Sequence, residues 1–261
     1  MKLSKRITFS YIQSLLLISS LLLSSTVLLA DTTADMKRAN ELYIANQYDE
    51  AVQAYEGIVS SGYESSSLYY NLGNAYYRQN RIAPSILNYE RALRLDPQNT
   101  DVQYNLALAR AKTLDKIEAN PKNIFEQWFD SLIYQTHTNI WAIWSMILFV
   151  CSLGLLLLYM LASLTWLRKT AFFSAAIMLI ASILFFTFSY VQKQQIENKK
   201  EAIISLSTVT IKSSPDEQSS DLFIIHEGTK VSIKHQLGSW AQIETEDGNK
   251  GWLPLSTIEK I

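Results

Sequence analysis

The chain has 261 residues, of which 48% are hydrophobic and 18% charged, and its formal net charge is -1. That balance lacks the basic excess of a nucleic-acid binder, and the single cysteine, Cys151, excludes an intramolecular disulfide. The averages conceal a zoned chain: apolar residues concentrate at 15–30, 140–167 and 171–191, whereas 31–120 (9 basic, 12 acidic side chains) and 201–261 (5 basic, 9 acidic) are polar and mildly acidic.

At the N-terminus, Lys2, Lys5 and Arg6 precede an apolar run from Leu15 to Ala30, the pattern of a secretory signal. A cut after Ala30 would put Leu28 where a small residue is preferred. Residues 1–30 therefore read as a signal peptide or as an uncleaved membrane anchor. No cysteine near the boundary offers a lipid attachment point.

Residues 32–112 repeat at an offset of 34. Ala39 aligns with Gly73 and Ala107, Leu42 with Tyr76, Ala51 with Ser85, and Tyr55 with Tyr89. Asn46-Gln47 and Asn80-Arg81 fall at one turn position between paired helices. The period and the run Leu72, Gly73, Tyr76, Ser85, Tyr89, Ala92, Pro97 resemble the tetratricopeptide repeat, with units at 32–65, 66–99 and a partial 100–112. The resemblance implies an all-α solenoid. Ala39, Gly73, Ala107, Tyr55 and Tyr89 would be its scaffold, with Gly73 letting one helix approach another near Tyr89. It also implies a protein-binding groove formed by the first helix of each unit, here Asn40, Tyr43, Tyr70, Asn74, Tyr77, Arg78 and Tyr104. Tyr77 or Tyr104 could instead pack against a neighbouring helix. A lysine-rich clamp for a C-terminal carboxylate is missing.

Residues 113–139 form a linker in which Ile124, Phe125, Trp128, Phe129, Leu132 and Ile133 share one helical face. The expectation is a helix that caps the repeats or lies on a membrane surface, or else a plain connector. Residues 140–166 and 170–191 carry no charge and exceed the roughly 20 apolar residues that span about 30 Å of hydrocarbon. A transmembrane hairpin is expected, turning at "LRKT", 167–170. Arg168 and Lys169 favour the cytoplasmic face, which puts both polar portions on the outer side of a bacterial inner membrane. Lys193, Lys199 and Lys200 oppose that orientation.

After a linker at 192–202, residues 203–261 alternate in short runs bounded by turn formers, with strands expected at Val209–Lys212, Leu222–Ile225, Val231–Lys234 and Trp240–Ile243. The segments "VTIKSSP", "EGTKVSI", "GSWAQIET" and "DGNKGWLP" resemble the bacterial SH3 domain. A small closed all-β barrel is therefore expected. Trp240 and Trp252 are its surface-binding candidates, although either could belong to the core.

This domain order resembles the BatE family of aerotolerance proteins. The resemblance implies a multi-domain membrane protein: a non-enzymatic, membrane-anchored adaptor presenting repeats and an SH3-like module to the periplasm. Implied partners are membrane or periplasmic proteins, including von Willebrand factor A domain proteins of the same system. Binding or sensing of peptidoglycan is the alternative. No cofactor or metal is expected, because His137, His226 and His235 are scattered and no phosphate-binding glycine loop is present.

Overall fold

A computed structural model describes residues 33–117, 123–133, 136, 138–198 and 200–261. The N-terminal segment 1–30 lies outside them. By contacts the chain divides into two units. One comprises the repeats through Lys116 with Ala202–Lys230 and Leu253–Ile261, and the other Ile117–Glu201 with Val231–Trp252.

In the first unit, α1 (33–44), α2 (Tyr48–Ser60), α3 (Ser66–Arg78), α4 (Ile82–Leu95) and α5 (Thr100–Arg110) follow the expected repeat. The two turns within helix pairs are built alike. Asn46 and Asn80, 34 residues apart, both adopt φ of 60°. The amides that follow reach back to the preceding helix, Gln47 to the Leu42 carbonyl at 2.9 Å and Arg81 to that of Tyr76 at 3.0 Å. Asparagine tolerates this left-handed conformation and so ends the helix without glycine. Ser65 and Asn99 cap α3 and α5, accepting from the amides of Leu68 and Val102.

Gly73 lies where α3 and α4 meet. A Cβ there would come within 2.7 Å of Tyr89 Cδ1 and 2.8 Å of Cε1, and the Gly73 carbonyl accepts from Ser85 Oγ at 2.8 Å. Ala39, one period earlier, is fully buried. Ala107, one period later, is exposed, because residues 111–117 do not continue into a second helix that would close on it.

Among the described residues the third repeat thus lacks its second helix, and the outer side of α4 is covered by the C-terminal segments of the same unit. Ile203 belongs to the buried cluster of Ala83, Ile86, Leu87 and Val102. Glu90 on α4, only 7% exposed, accepts from Arg110 Nη2 at 2.6 Å and from Lys230 Nζ at 2.8 Å. Asp115 accepts from the His226 amide (2.6 Å) and from Thr229 Oγ1 (2.7 Å), and pairs with His226 Nδ1 (2.7 Å). Arg91 and Arg94 donate to the carbonyls of Lys260 and Ile261. Gly228, at φ +84°, brings backbone against Thr113 and Ile86, where a Cβ would meet side-chain atoms at 2.8 and 3.1 Å.

The C-terminal strands are β1 (Glu201–Ile204), β2 (Thr208–Lys212), β3 (Asp221–His226), β4 (Lys230–Leu237), β5 (Trp240–Thr245), β6 (Lys250–Pro254) and β7 (Ile258–Lys260). They pair in the order β3-β2-β6-β5-β4-β1-β7. The strands fall where alternation put them, but the sheet is open, with β3 and β7 as its ends. This corrects the expected closed SH3-like barrel. Alternation reveals which face of a strand is buried, not what buries it, and Ile203 on β1 is buried against the repeats.

In the second unit, α6 (Ile124–Ile133) precedes α7 (Thr138–Leu161) and α8 (Thr165–Asn198). Asn139–Leu161 and Thr165–Gln194 are long and apolar enough to cross a membrane. The two long helices form an antiparallel hairpin tied by Ser145 Oγ to the Ser182 carbonyl (2.9 Å), Ser182 Oγ to that of Ser145 (2.8 Å), and Ser152 Oγ to that of Ala175 (3.0 Å). The chain turns at 162–164, ahead of "LRKT", so Arg168, Lys169 and Trp166 lie in the opening turns of α8. The charge pair thus sits within the helix and does not mark the backbone break.

Two consequences are measurable. Alanine gains about 1 kcal/mol over glycine in a helix interior, while overpacking costs roughly 1–3 kcal/mol. Tyr89 cannot swing aside, being 1% exposed and bonded to Asn74. Gly73→Ala should therefore lower the thermal midpoint of the repeats, whereas Gly57→Ala, with nothing within 4 Å of the new Cβ, should raise it. Circular dichroism of the two variants checks the opposite signs.

Burial of Asp115 works against its charge, but hydrogen bonds from the His226 side chain and amide and from Thr229 outweigh it and hold the carboxyl below its ordinary range. Because the folded value is the lower one, this stabilisation is complete above about pH 4, the ordinary aspartate value, and is lost as pH falls through the depressed value. Asp115→Asn should lower the thermal midpoint at pH 5 to 7, and the gap to wild type should close below pH 4. A gap that widens on acidification would contradict this assignment.

Candidate functional site

The inward helices α1, α3 and α5 bring most of the expected groove residues together. Two adjoining depressions share Tyr43 and Asn74. One, of about 230 Å³, is lined by Asn40, Ile44, Tyr55 and Asn71 as well. The other, of about 160 Å³, adds Tyr77, Arg78, Tyr89, Asn105 and Leu108. Each is below the 300–1,000 Å³ of a drug-sized pocket, and their succession suits consecutive side chains of an extended polypeptide.

Their floor is a hydrogen-bonded ladder repeated at the 34-residue period. Asn40 Oδ1 accepts from Tyr55 Oη (2.6 Å) and from Asn71 Nδ2 (3.0 Å). One repeat on, Asn74 Oδ1 accepts from Tyr89 Oη (2.7 Å) and from Asn105 Nδ2 (2.9 Å), and Asn105 Nδ2 also reaches Tyr70 Oη at 3.0 Å. Burial, reinforced by Tyr43 nearby, pushes the Tyr55 phenol up to about 12. Burial also raises the Tyr89 phenol, against the opposing hydrogen bond with Ser85. Both phenols stay protonated and keep donating to the asparagine oxygens. With Oδ1 so occupied, the amides of Asn40 and Asn74 are oriented with Nδ2 as the donor left for a ligand.

The rim is aromatic and cationic. Arg78 lies over the Tyr48 ring (5.1 Å) and Lys112 over that of Tyr77 (4.1 Å), while Tyr43 meets Tyr48 edge-on at 5.4 Å. Burial raises the Tyr43 phenol, with Arg78 acting in the opposite direction. Stacking fixes these long side chains in place before a ligand arrives, which reduces the entropy lost on contact.

Of the seven groove residues expected from sequence, Asn40, Tyr43, Asn74, Tyr77 and Arg78 line the depressions. Tyr70 supports them from the side through Asn105 and through its ring, 6.1 Å from that of Tyr89. Tyr104 is 66% exposed and lines neither. Asn71 and Asn105 were missed, although they too stand 34 apart and the same offset would have found them. Tyr55 and Tyr89, expected as scaffold, are buried and also orient the groove amides. Trp240 and Trp252 are half-buried. Among the described residues, no group of three or more His, Cys, Asp or Glu is placed to hold a metal ion.

Comparison with known proteins matches the family described as TPR repeat over residues 73–113. The match runs from Gly73 through α4 and α5, the helices that carry the second half of the ladder. No curated protein matches the chain. The expected membership of the BatE family is not supported, since the family match is confined to the repeats and the sheet is not a closed barrel. The aerotolerance link, the periplasmic SH3-like module and the membrane-anchored adaptor built on them fall with it. What stands is a repeat region of a kind suited to protein–protein interaction, and two helices long and apolar enough to cross a membrane.

Proposed function

We propose that the repeat region, 33–116, binds an extended segment of a partner protein along the Asn40–Asn74 ladder. The observation that carries this reading is the repetition itself. The same tyrosine–asparagine–asparagine arrangement recurs one period apart, so two equivalent amide donors face one groove, and periodic donors suit a periodic ligand such as a polypeptide backbone. The tyrosines add rigid contact area, the residue type enriched where binding energy concentrates.

We further infer that α7 and α8 cross the inner membrane as a hairpin, with both polar portions on its outer side and the α7–α8 turn in the cytoplasm. Gln192 Nε2 on α8 donates to the Thr136 carbonyl just ahead of α7 at 3.1 Å, so the outer ends of the two helices lie together. The bonds of Asp115 to His226 and of Glu90 to Lys230 support one shared compartment for the segments before and after the hairpin. Arg168 and Lys169 near the turn support the orientation.

Asn74→Asp separates binding from folding. The aspartate keeps an acceptor for Tyr89 and Asn105 but has no donor to offer the groove. With a photo-crosslinking residue at Tyr43, wild type in native membranes should give discrete protein adducts. Asn74→Asp should reduce them by tenfold or more, and Tyr77→Ala should do likewise, with thermal midpoints near wild type. Equal adducts in a folded Asn74→Asp protein would overturn the groove assignment.

The topology has its own readout. In spheroplasts, an impermeant thiol reagent should label a cysteine introduced at Ser67 and one at Ser214, in a Cys151→Ser background, and should spare one at Lys169. Labelling of only one of the first two would refute the shared compartment.

A further inference from the structure

The helix α6, Ile124–Ile133, has two unlike ends. The C-terminal end is fixed to the hairpin: Ile133 is fully buried, its carbonyl accepts from Trp141 Nε1 at 3.0 Å, and Phe129 meets the Phe188 ring edge-on at 6.3 Å. Trp141 in turn meets Phe185 at a tilt and Phe188 edge-on, with ring centroids 5.0 and 5.4 Å away. Towards the N-terminal end of the same apolar face Ile124, Phe125 and Trp128 are 83, 84 and 62% exposed. These large apolar side chains fall within an arc of about 100°.

We propose that α6 is an interfacial helix that inserts Ile124, Phe125 and Trp128 into the outer leaflet of the bilayer crossed by α7 and α8. The inference rests on the membrane reading of that hairpin. What covers the face is indicated by continuity. Beyond Trp141, α7 goes on presenting Ile143, Trp144 and Ile147 outward, all exposed, and the medium that covers those residues is adjacent to the helix fastened at their end. At about 1.5 Å per residue, ten residues reach only about 15 Å, half of the roughly 30 Å hydrocarbon layer. Such a helix lies along the interface instead of crossing it. Trp128 then stands with Trp141 at headgroup level, where the amphipathic indole is favoured. The attraction is apolar: α6 has no lysine or arginine and includes Glu126 and Asp130. Its insertion should therefore need no anionic lipid.

The test uses the full chain with Cys151→Ser in phosphatidylcholine vesicles, with an environment-sensitive fluorophore on Phe125→Cys and, in a second sample, on Val150→Cys in the middle of α7, where the side chain is exposed. Lipids carry nitroxides either near the headgroup or deep in the acyl chain. The expected result is at least twofold stronger quenching of the 125 probe by the shallow nitroxide than by the deep one, and the reverse at 150. Adding phosphatidylglycerol should leave the 125 pattern unchanged. A 125 probe unquenched by either lipid, while 150 responds to the deep one, would overturn the proposal alone and make a protein surface the cover. Lack of lipid quenching at both sites would overturn the membrane reading and the inference with it.

Discussion

A pair of helices in a solenoid cannot bury its apolar faces by itself, so the last pair needs a cover. In this chain the third repeat contributes only α5, and the exposed flank of α4 would be left with Ile86 and Leu87 facing water. Sequence more than 110 residues further along supplies the cover. Ile203 enters the same buried cluster, and the Gly228 turn packs against Ile86 and Thr113. The groove on the inner side depends on this closure. Tyr89, which orients Asn74, stands on α4, and α4 is held between α3 and the β segments.

Charge fixes the fit that apolar contact leaves loose. Glu90 is buried on α4 between Arg110 of the next helix and Lys230 of the β segment. Removing either cation would leave a carboxylate out of water with half of its compensation. Loss of one partner in a buried pair costs several kcal/mol, although the intact pair adds little over an apolar replacement. Such an arrangement contributes specificity of docking more than stability. Asp115 acts similarly, since its two oxygens accept from one backbone amide and two side chains that only a correctly placed β3–β4 turn can present together.

The sequence made the period legible because small, aromatic and turn-forming residues recur every 34 positions, and each has a steric reason to do so. Gly73 must lack a Cβ to sit on Tyr89, and Asn46 and Asn80 must accept positive φ. Five of the groove residues followed from that register. Asn71 and Asn105 stand in the same register, 34 apart, but their part in the ladder shows only once the oxygen partners of their amides are known. The β strands were visible as alternation, but closure of the sheet was not. Whether two end strands pair depends on curvature and on competing surfaces, and here one competing surface is a helix far away in sequence. The partners of Glu90, Asp115, Arg91 and Arg94 were invisible for the same reason: a charged residue on a helix reads as solvated until something distant covers it.

The two polar systems that flank α4 differ in what they can sense. The groove ladder is neutral. Its tyrosines are held protonated by burial, and its asparagines do not titrate, so its donors keep their orientation throughout the physiological pH range. The docking contacts on the other flank are built on carboxylates: Glu90 with two cations, and Asp115 with the amide and ring of His226 and the hydroxyl of Thr229. Acidification through the depressed Asp115 value therefore acts on the flank that holds α4 in place and not on the groove itself. Any effect on the groove must travel through the position of α4, by way of Tyr89 and its bond to Asn74.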